Sequence, residues 1–541
     1  MTMQSTESHK WLVNEAVQKK LKEIRSRTDL SLKPMKHLKS TFTDFDGSEK
    51  PLRIRYYQVQ GIMHLVAMKR FLLGDDTGLG KTLQTIGALC AIWERDSNRK
   101  AVILTTKSAA KQWAREFAKF TTGVTVISGS GSPGERQVSR TMFENAKGPT
   151  VYIAGYRSIV QDFSHVQDWR DFIFITDEAT AYKNPKTQVH QVCRHMADQA
   201  ERVWALTATL IKNNLLEGHG IYSVVTPGLF GSVNNFTLYY CIVRMQKLPR
   251  SNRQIPIVVG YAPDRVREFR DEIAPYFLGR PKHEVATELP ALVQQTIEVE
   301  LSREQEEKYD EALSGLLSLG ADVKETTKLT QVTYCQEICD HLALLDLAGD
   351  SGKLEALIEL LTQGDFADEK VIIFSRFRKL VDLLMPVFAT NKIKAVRVTG
   401  GEDGDTRDAA MRAFQNPNDD TRVCCITMAG SDAINLQAAK AIIFFDTPWS
   451  AGDYIQILGR MIRIGSLHDR CYAVHLVGKL KRRKTIDHRI MEVQAKKMGL
   501  VEAVIGKRIK GVNDDTVISV ENDISDLFAG LREDAKNTSD D

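Results

Sequence analysis

From about Arg53 the chain alternates short, wholly apolar runs with longer stretches of helical period. AVILTT (101–106), TVYIAGY (150–156), FIFIT (172–176) and RVWALTAT (202–209) are rich in β-branched and aromatic residues. Apolar on both faces, they predict buried strands of a parallel sheet. Leu83–Arg95 and Ala109–Phe120 supply the helical period between them. The same texture returns from Lys370, with VIIFS (371–375), KAVRVTG (394–400), RVCCIT (422–427), AIIFFD (441–446) and CYAVHLV (471–477). The fold class is therefore α/β, with two lobes built on parallel sheets and helical insertions between them.

Five segments follow: an N-terminal arm over 1–50, a first lobe over 51–238, an irregular and helical insertion over 239–350, a second lobe over 351–510 and an acidic tail over 511–541. Within the insertion EQEEKYDEALSGLL reads as the clearest helix. LAGDSGK (347–353) reads as a loop in a hinge region, because Gly349 and Gly352 with Asp350 and Ser351 break the period.

Composition narrows the class. With 43% hydrophobic and 26% charged residues in 541, the chain can build real cores and solvate them. No apolar run approaches bilayer length and the amino terminus lacks a secretory pattern, so the expected site is intracellular and away from membranes. The net charge of +4 says little about partners. The stretch from His9 to Lys39 is locally basic and reads either as a phosphate-neutralising arm or as a solvated helix face. Lys479, Lys481, Arg482, Arg483 and Lys484 form a second basic cluster, expected as a phosphate-facing insertion. Cys335 and Cys339, with His341 nearby, have the spacing of one helix face, and the eight cysteines read as small core residues rather than ligands.

FLLGDDTGLGKT runs from an apolar strand through glycines into a helix. In that context glycine lets backbone amides curl around phosphate oxygens, and the helix adds the positive end of its dipole. Asp75, Asp76, Thr77, Gly78, Leu79 and Gly80 form the expected cradle, Lys81 neutralises β and γ phosphates, and Thr82 holds magnesium. Asp75 stands where a strict motif has glycine. Asp177 and Glu178, closing the apolar run FIFIT, supply a carboxylate for magnesium and a second to polarise the attacking water.

The order of motifs resembles the Swi/Snf-type ATPases of helicase superfamily two over about Pro51 to Gly506. LRIRYYQVQGIMHL is similar to the family's adenine-recognition segment, which implies an adenine contact for Gln58. DDTGLGKT resembles its phosphate loop, with Asp76 where glutamate is usual. ILTTKSAAKQWAREF, DEATAYKNPKT and LTATLIKNNLLE resemble the next three motifs. VIIFSRF, MAGSDAINLQAAKAIIFFDTPWS and QILGRMIRIGS resemble those of the second lobe, and FLGRPKHEVATELP with CDHL resembles helical elements between them. Thr106, Thr180, Leu210, Ser431 and Ala433 depart from the family pattern.

The resemblance implies two RecA-like lobes that use ATP and Mg2+, with Gln456, Arg460 and Arg463 serving the nucleotide from the second lobe. It implies nucleic-acid contacts near Thr106, Lys107, Tyr156, Arg157, Ser375, Arg376 and Thr427. The expected activity is a DNA-dependent ATP hydrolase that moves along double-stranded or branched DNA and remodels DNA or a DNA-bound complex such as a polymerase. Two other readings share the motifs: an ATP-switched factor that strips DNA-bound proteins without sustained movement, and a branch-migrating helicase. The shortness of the chain suggests a viral or bacterial source, with work in the cytoplasm of a bacterium or an infected host cell.

Overall fold

The computed structural model describes residues 15–43, 48–212, 214–247, 254–286, 289–315, 318–319, 322–323, 328–431, 434–463, 466, 468–481, 483–505 and 518–519. Residues 1–14 of the expected arm, Ala433, Arg482 and all but 518–519 of the expected tail lie outside them. The described residues fall into two compact units that meet in sequence near 287.

The first unit is a seven-stranded sheet. Its strands are β1 (Arg70–Leu73), β2 (Lys100–Thr105), β3 (Thr125–Ser128), β4 (Thr150–Gly155), β5 (Ile173–Asp177), β6 (Arg202–Leu206) and β7 (Phe277–Leu278), and their spatial order is β7-β1-β6-β5-β2-β4-β3. Every pairing is parallel, so the chain returns through helices between strands. Residues 71–73, 101–105, 151–154 and 203–206 are buried without alternation because helices cover both faces of the sheet.

The second unit repeats the plan with six strands, β8 (Ala291–Glu300), β9 (Val371–Phe374), β10 (Ala395–Val398), β11 (Val423–Ile426), β12 (Ala441–Phe444) and β13 (Arg470–Lys479), ordered β8-β13-β12-β9-β11-β10 and again parallel throughout. Its two apolar layers lie on opposite sides of the sheet. Val371, Ile373 and Cys425 face one layer, Ile372, Phe374 and Cys424 the other.

The stretch 239–350, expected as an irregular and helical insertion, is divided between the two units. Its first part belongs to the first unit, where Ile242–Lys247 and Gln254–Tyr261 pair antiparallel and β7 closes one sheet edge. The rest belongs to the second unit, where β8 lies along β13 over ten residues. The helix expected from EQEEKYDEALSGLL spans Arg303–Ser314 and stops at Gly315, whose φ of 83° takes the left-handed cap. The 347–351 loop then enters the helix Gly352–Thr362, capped by Ser351 Oγ accepting from Leu354 N at 3.3 Å. The N-terminal arm is also packed: its helix Glu15–Arg25 buries Leu21 and Ile24.

All eight cysteines are buried thiols. Cys335 and Cys339 sit in a core with Tyr309, Ile338 and Ile486, and His341 Nδ1 accepts from Ala343 N at 3.1 Å as a helix cap. Beside this core Lys353 is fully buried, with its ammonium 2.8 Å from Asp340, 2.7 Å from Asp487 and 2.9 Å from the carbonyl of Phe445. Burial works against its charge, but Asp340 and Asp487 outweigh that and hold its pKa above the ordinary lysine range.

Removing that ammonium leaves two carboxylates buried without a counter-charge. Lys353→Ala is expected to destabilise the second unit by about 3–5 kcal/mol, measured as a lowered denaturant midpoint. A midpoint equal to the wild type's would show that the carboxylates find other partners.

Candidate functional site

Register, rather than any single loop, assembles the motifs of the first unit. Leu73 on β1 is level with Leu206 on β6, which is level with Asp177 on β5; Leu104 is level with Thr176, and Thr105 with Gly155. The phosphate loop, the LTAT segment, the acidic pair and Thr106 therefore leave the sheet at one carboxyl edge. Two strand spacings, about 10 Å, separate the first from the third. Ligand sites of open parallel sheets form at this edge.

The loop is shaped by Gly78 and Gly80, with φ of 89° and 76°. A Cβ on Gly80 would lie 2.6 Å from Gln58 Nε2. Gln58 is itself buried: Nε2 donates to the Leu79 carbonyl at 3.3 Å, and Oε1 accepts from Arg55 N at 3.0 Å at the start of the helix Tyr56–Ala67. It steadies the loop from behind.

Asp75 explains its own departure from the glycine pattern. Its carboxylate has no exposure and accepts from Arg280 Nε at 2.8 Å, Arg280 Nη2 at 2.5 Å and Gln84 Nε2 at 2.9 Å. Arg280 Nη1 in turn donates to the Tyr57 carbonyl at 2.5 Å and to Gln60 Oε1 at 2.9 Å. The side chain is thus spent on the core, and only the Asp75 backbone faces the cradle. Asp76 accepts from Lys282 N at 2.9 Å, and Thr77 and Leu79 are buried.

Lys81 and Thr82 open the helix Lys81–Trp93 behind Gly80. The Lys81 ammonium donates to the Asp75 carbonyl at 2.7 Å and the Asp76 carbonyl at 3.4 Å. Burial lowers its pKa, against the opposing pull of Glu178, Asp75, Asp177 and Asp76. An ammonium among carboxylates in a desolvated loop is set for a polyanion.

Asp177 is held by two donors on one oxygen, Trp113 Nε1 at 2.7 Å and Thr105 Oγ1 at 3.0 Å, both to Oδ2. Among the described residues no bond goes to Oδ1, and that oxygen with the Thr82 hydroxyl suits magnesium, which takes oxygen ligands and keeps several waters. Glu178 follows with φ of 57° and ψ of 61°, a left-handed conformation that costs a non-glycine residue about 1–3 kcal/mol. The turn Ala179–Tyr182 begins there, and Thr180 uses its carbonyl to accept from Lys183 N at 3.3 Å. Leu210 is core.

Residues expected to touch nucleic acid divide by exposure. Lys107, Arg157 and Arg376 are exposed, and Thr106 is half-buried as the cap of the helix Lys107–Phe120, where Oγ1 accepts from Ala109 N at 3.4 Å. The other three do not reach the surface. Tyr156 is buried and its hydroxyl donates to the Asp177 carbonyl at 2.8 Å. Ser375 Oγ donates to Asp446 Oδ2 at 2.5 Å, and Thr427 Oγ1 to the Thr399 carbonyl at 2.9 Å. Bonded inward, these hydroxyls support the edge.

In the second unit Phe374, Ile426, Val398, Phe444 and His475 are level at the carboxyl edge. The Asp446 carboxylate accepts from the backbone amide of Arg376 at 3.0 Å, and Arg376 Nη1 donates to Gln336 Oε1 at 2.7 Å. The helix Ala451–Met461 buries Gln456 and Arg460, and Arg463 Nε donates to the Gly459 carbonyl at 2.8 Å. Ser431 ends a short helix begun at Met428.

Sequence reasoning named the acidic pair but missed its holders, Trp113 and Thr105, and the Arg280 partner of Asp75. An aspartate just after the apolar strand, where the motif has glycine, was the available signal for a buried cation, although its place 205 positions downstream was not.

Two family models match the chain, "SNF2-related domain" over residues 57–344 and "Helicase conserved C-terminal domain" over 352–465. Transcription regulatory protein SNF2 of Saccharomyces cerevisiae is 25% identical over 449 residues, covering 77% of this chain and 26% of the relative. Chromodomain-helicase-DNA-binding protein 1-like of Danio rerio is 27% identical over 475 residues, covering 84% and 44%. The chain thus spans less than half the length of either curated relative. A solved structure titled Sulfolobus solfataricus SWI2/SNF2 ATPase core in complex with dsDNA aligns with 20% identity and a TM-score of 0.41, covering 88% of this chain and 99% of that one.

Trp113→Phe keeps the ring and removes the donor to Asp177. It is expected to lower the apparent magnesium affinity of the site by roughly tenfold, the usual scale for losing a bond behind a metal ligand. Magnesium titration of nucleotide turnover measures this, and an unchanged curve would show that the indole does not orient Asp177.

Proposed function

The chain belongs to the SNF2-related family, and from that membership we propose an ATP-hydrolysing motor that moves along double-stranded or branched DNA and remodels DNA or DNA-bound protein complexes. One observation carries the reading: the phosphate loop and the Asp177–Glu178 pair leave a single parallel sheet at one level, separated by one strand. A phosphate chain laid along that edge meets a cation at one end and carboxylates at the other.

Placement supports the following roles. Backbone amides from Gly78 to Thr82 bind phosphate, and Lys81 gives up its carbonyl partners to neutralise it. Thr82 and Asp177 would hold magnesium, which supplies charge neutralisation on the phosphates when bound. Glu178 orients the attacking water and takes its proton. The family pattern assigns Arg460 and Arg463 to charge developing on the transferred phosphoryl group. Exposed Lys107, Arg157 and Arg376 serve the DNA backbone, which fits a motor indifferent to sequence. The names of the Saccharomyces cerevisiae and Danio rerio relatives, which refer to transcription and to DNA binding, support DNA as the track.

Lys81→Ala is expected to weaken ATP binding and remove hydrolysis, whereas Glu178→Gln keeps binding and loses about 10²-fold or more in turnover. Arg460→Ala and Arg463→Ala should each slow hydrolysis by about 10³-fold with a smaller effect on affinity. Near-normal turnover by Glu178→Gln, in protein free of contaminating ATPases, would sink the assignment.

Duplex DNA should stimulate hydrolysis more than single strands, and ATP should drive displacement of a third strand from a triplex. Unwinding of a long blunt duplex should be weak, because each base-pair step costs about 1.4 kcal/mol in stacking. Efficient blunt-duplex unwinding without triplex displacement would replace the motor by a strand-separating helicase.

A further inference from the structure

The helix Glu15–Arg25 precedes both matched family regions, the first of which begins at residue 57. Nothing in the motifs assigns it a role, and its basic composition suggested an arm for phosphates. Its carboxyl end is nevertheless captured by one side chain. Gln60, 3% exposed, places Nε2 at 3.3 Å from the Ile24 carbonyl, 3.1 Å from that of Arg25 and 2.9 Å from that of Arg27. Arg25 closes the helix, where carbonyls lack an intrahelical donor, Arg27 lies in the exit turn, and the Ile24 carbonyl also accepts from Arg27 N at 3.2 Å.

The other end of the same amide faces the phosphate loop. Gln60 Oε1 accepts from Arg280 Nη1 at 2.9 Å, and Arg280 forms the two-pronged pair with Asp75. The Asp75 carbonyl then holds the Lys81 ammonium at 2.7 Å. A second contact runs in parallel. Arg25 Nε donates to His64 Nε2 at 2.9 Å, and Arg25 Nη2 to the Phe277 carbonyl at 2.8 Å. Burial, with the charge of Arg25, lowers the His64 pKa to about 4, so at neutral pH the imidazole stays an acceptor. The next carbonyl along, that of Leu278, accepts from Gly74 N at 2.7 Å, immediately before the loop. Both routes are short: Gln60, His64, Arg280 and Asp75 are buried, while Arg25 and Arg27 at the helix end are exposed.

We propose that the amino-terminal helix braces the nucleotide site, and that Gln60 is the positioning residue through which docking of the helix and binding of the nucleotide are linked. The inference rests on the ATP-site reading above. Phosphate draws Lys81 away from the Asp75 carbonyl, so the placement of Asp75 sets how readily the ammonium turns. That placement depends on Arg280, and the orientation of Arg280 depends on an amide that the helix end holds in one rotamer. Linkage of this kind is reciprocal: nucleotide must stabilise the docked helix as much as the helix favours nucleotide.

Hydrogen exchange on the full chain tests this, with and without a non-hydrolysable ATP analogue and magnesium. In the wild type the analogue is expected to slow exchange of the amides in the helix and its exit turn, residues 18–27. Gln60→Met should speed exchange there and weaken analogue binding by about 5- to 30-fold, the scale of one lost buried hydrogen bond. Gln60→Glu keeps an acceptor for Arg280 but removes the donor to the helix end, and it should likewise release the helix and weaken binding. Unchanged exchange in strands 101–105 and 371–374 shows that either variant is folded. Wild-type protein that binds the analogue with no change over 18–27, or variants that release the helix at full analogue affinity, would overturn the proposal. Absence of analogue binding by the wild type would instead count against the ATP-site reading, for which Lys81→Ala is the control.

Discussion

The ion pair of Arg280 with Asp75 is the constraint on which the first unit's chemistry depends. It joins three pieces that sequence keeps far apart: the phosphate loop, the helix Tyr56–Ala67 and the edge strand Phe277–Leu278. A buried ion pair gains little net stability over apolar packing, but breaking one side of it is expensive. Its value here is geometric. The guanidinium spends Nε and Nη2 on Asp75, Nη1 on Tyr57 and Gln60, and reaches Gln84 Oε1 at 3.1 Å, so the loop has one position relative to the sheet.

Much of the fold was legible because it is written in continuous apolar runs. A strand buried on both faces must be apolar throughout, and the runs at 101–106, 172–176, 371–375 and 441–446 are recovered as strands to within two residues at either end. Apart from β10, read from KAVRVTG, the edge strands were not legible. β8 is mostly exposed or half-exposed, with polar residues such as Gln294, Gln295 and Glu298, and its place is set by ten residues of pairing to β13 rather than by its own pattern. β3 is short with Ile127 alone buried, and β7 has only two residues. Propensity cannot find elements whose stability comes wholly from a neighbour.

The candidate site shows the same division. Gly78, Gly80, Lys81 and the acidic pair are visible because the chemistry requires those residue types in that order. Tyr156, Ser375 and Thr427 were expected near nucleic acid from motif position alone, and a motif match says that a residue matters without saying which way it faces. Each hydroxyl turns inward, Tyr156 to the backbone of the acidic strand and Ser375 to Asp446. A donor that locks a strand end acts at one remove from any ligand.

The burial of every cysteine has a practical consequence. A thiol must ionise to react, and desolvation pushes Cys90, Cys241, Cys335 and Cys424 up to about 12, with Cys193, Cys339 and Cys425 also raised. Buried thiols of this kind are expected to react slowly with maleimide dyes while the chain stays folded. A single cysteine placed at an exposed position such as Lys107 or Arg376 would take a fluorophore selectively, without first stripping the core of its own sulfur. Each unit could then be followed by fluorescence in otherwise unaltered protein, and any slow labelling of the natural thiols would serve as a built-in clock for local unfolding.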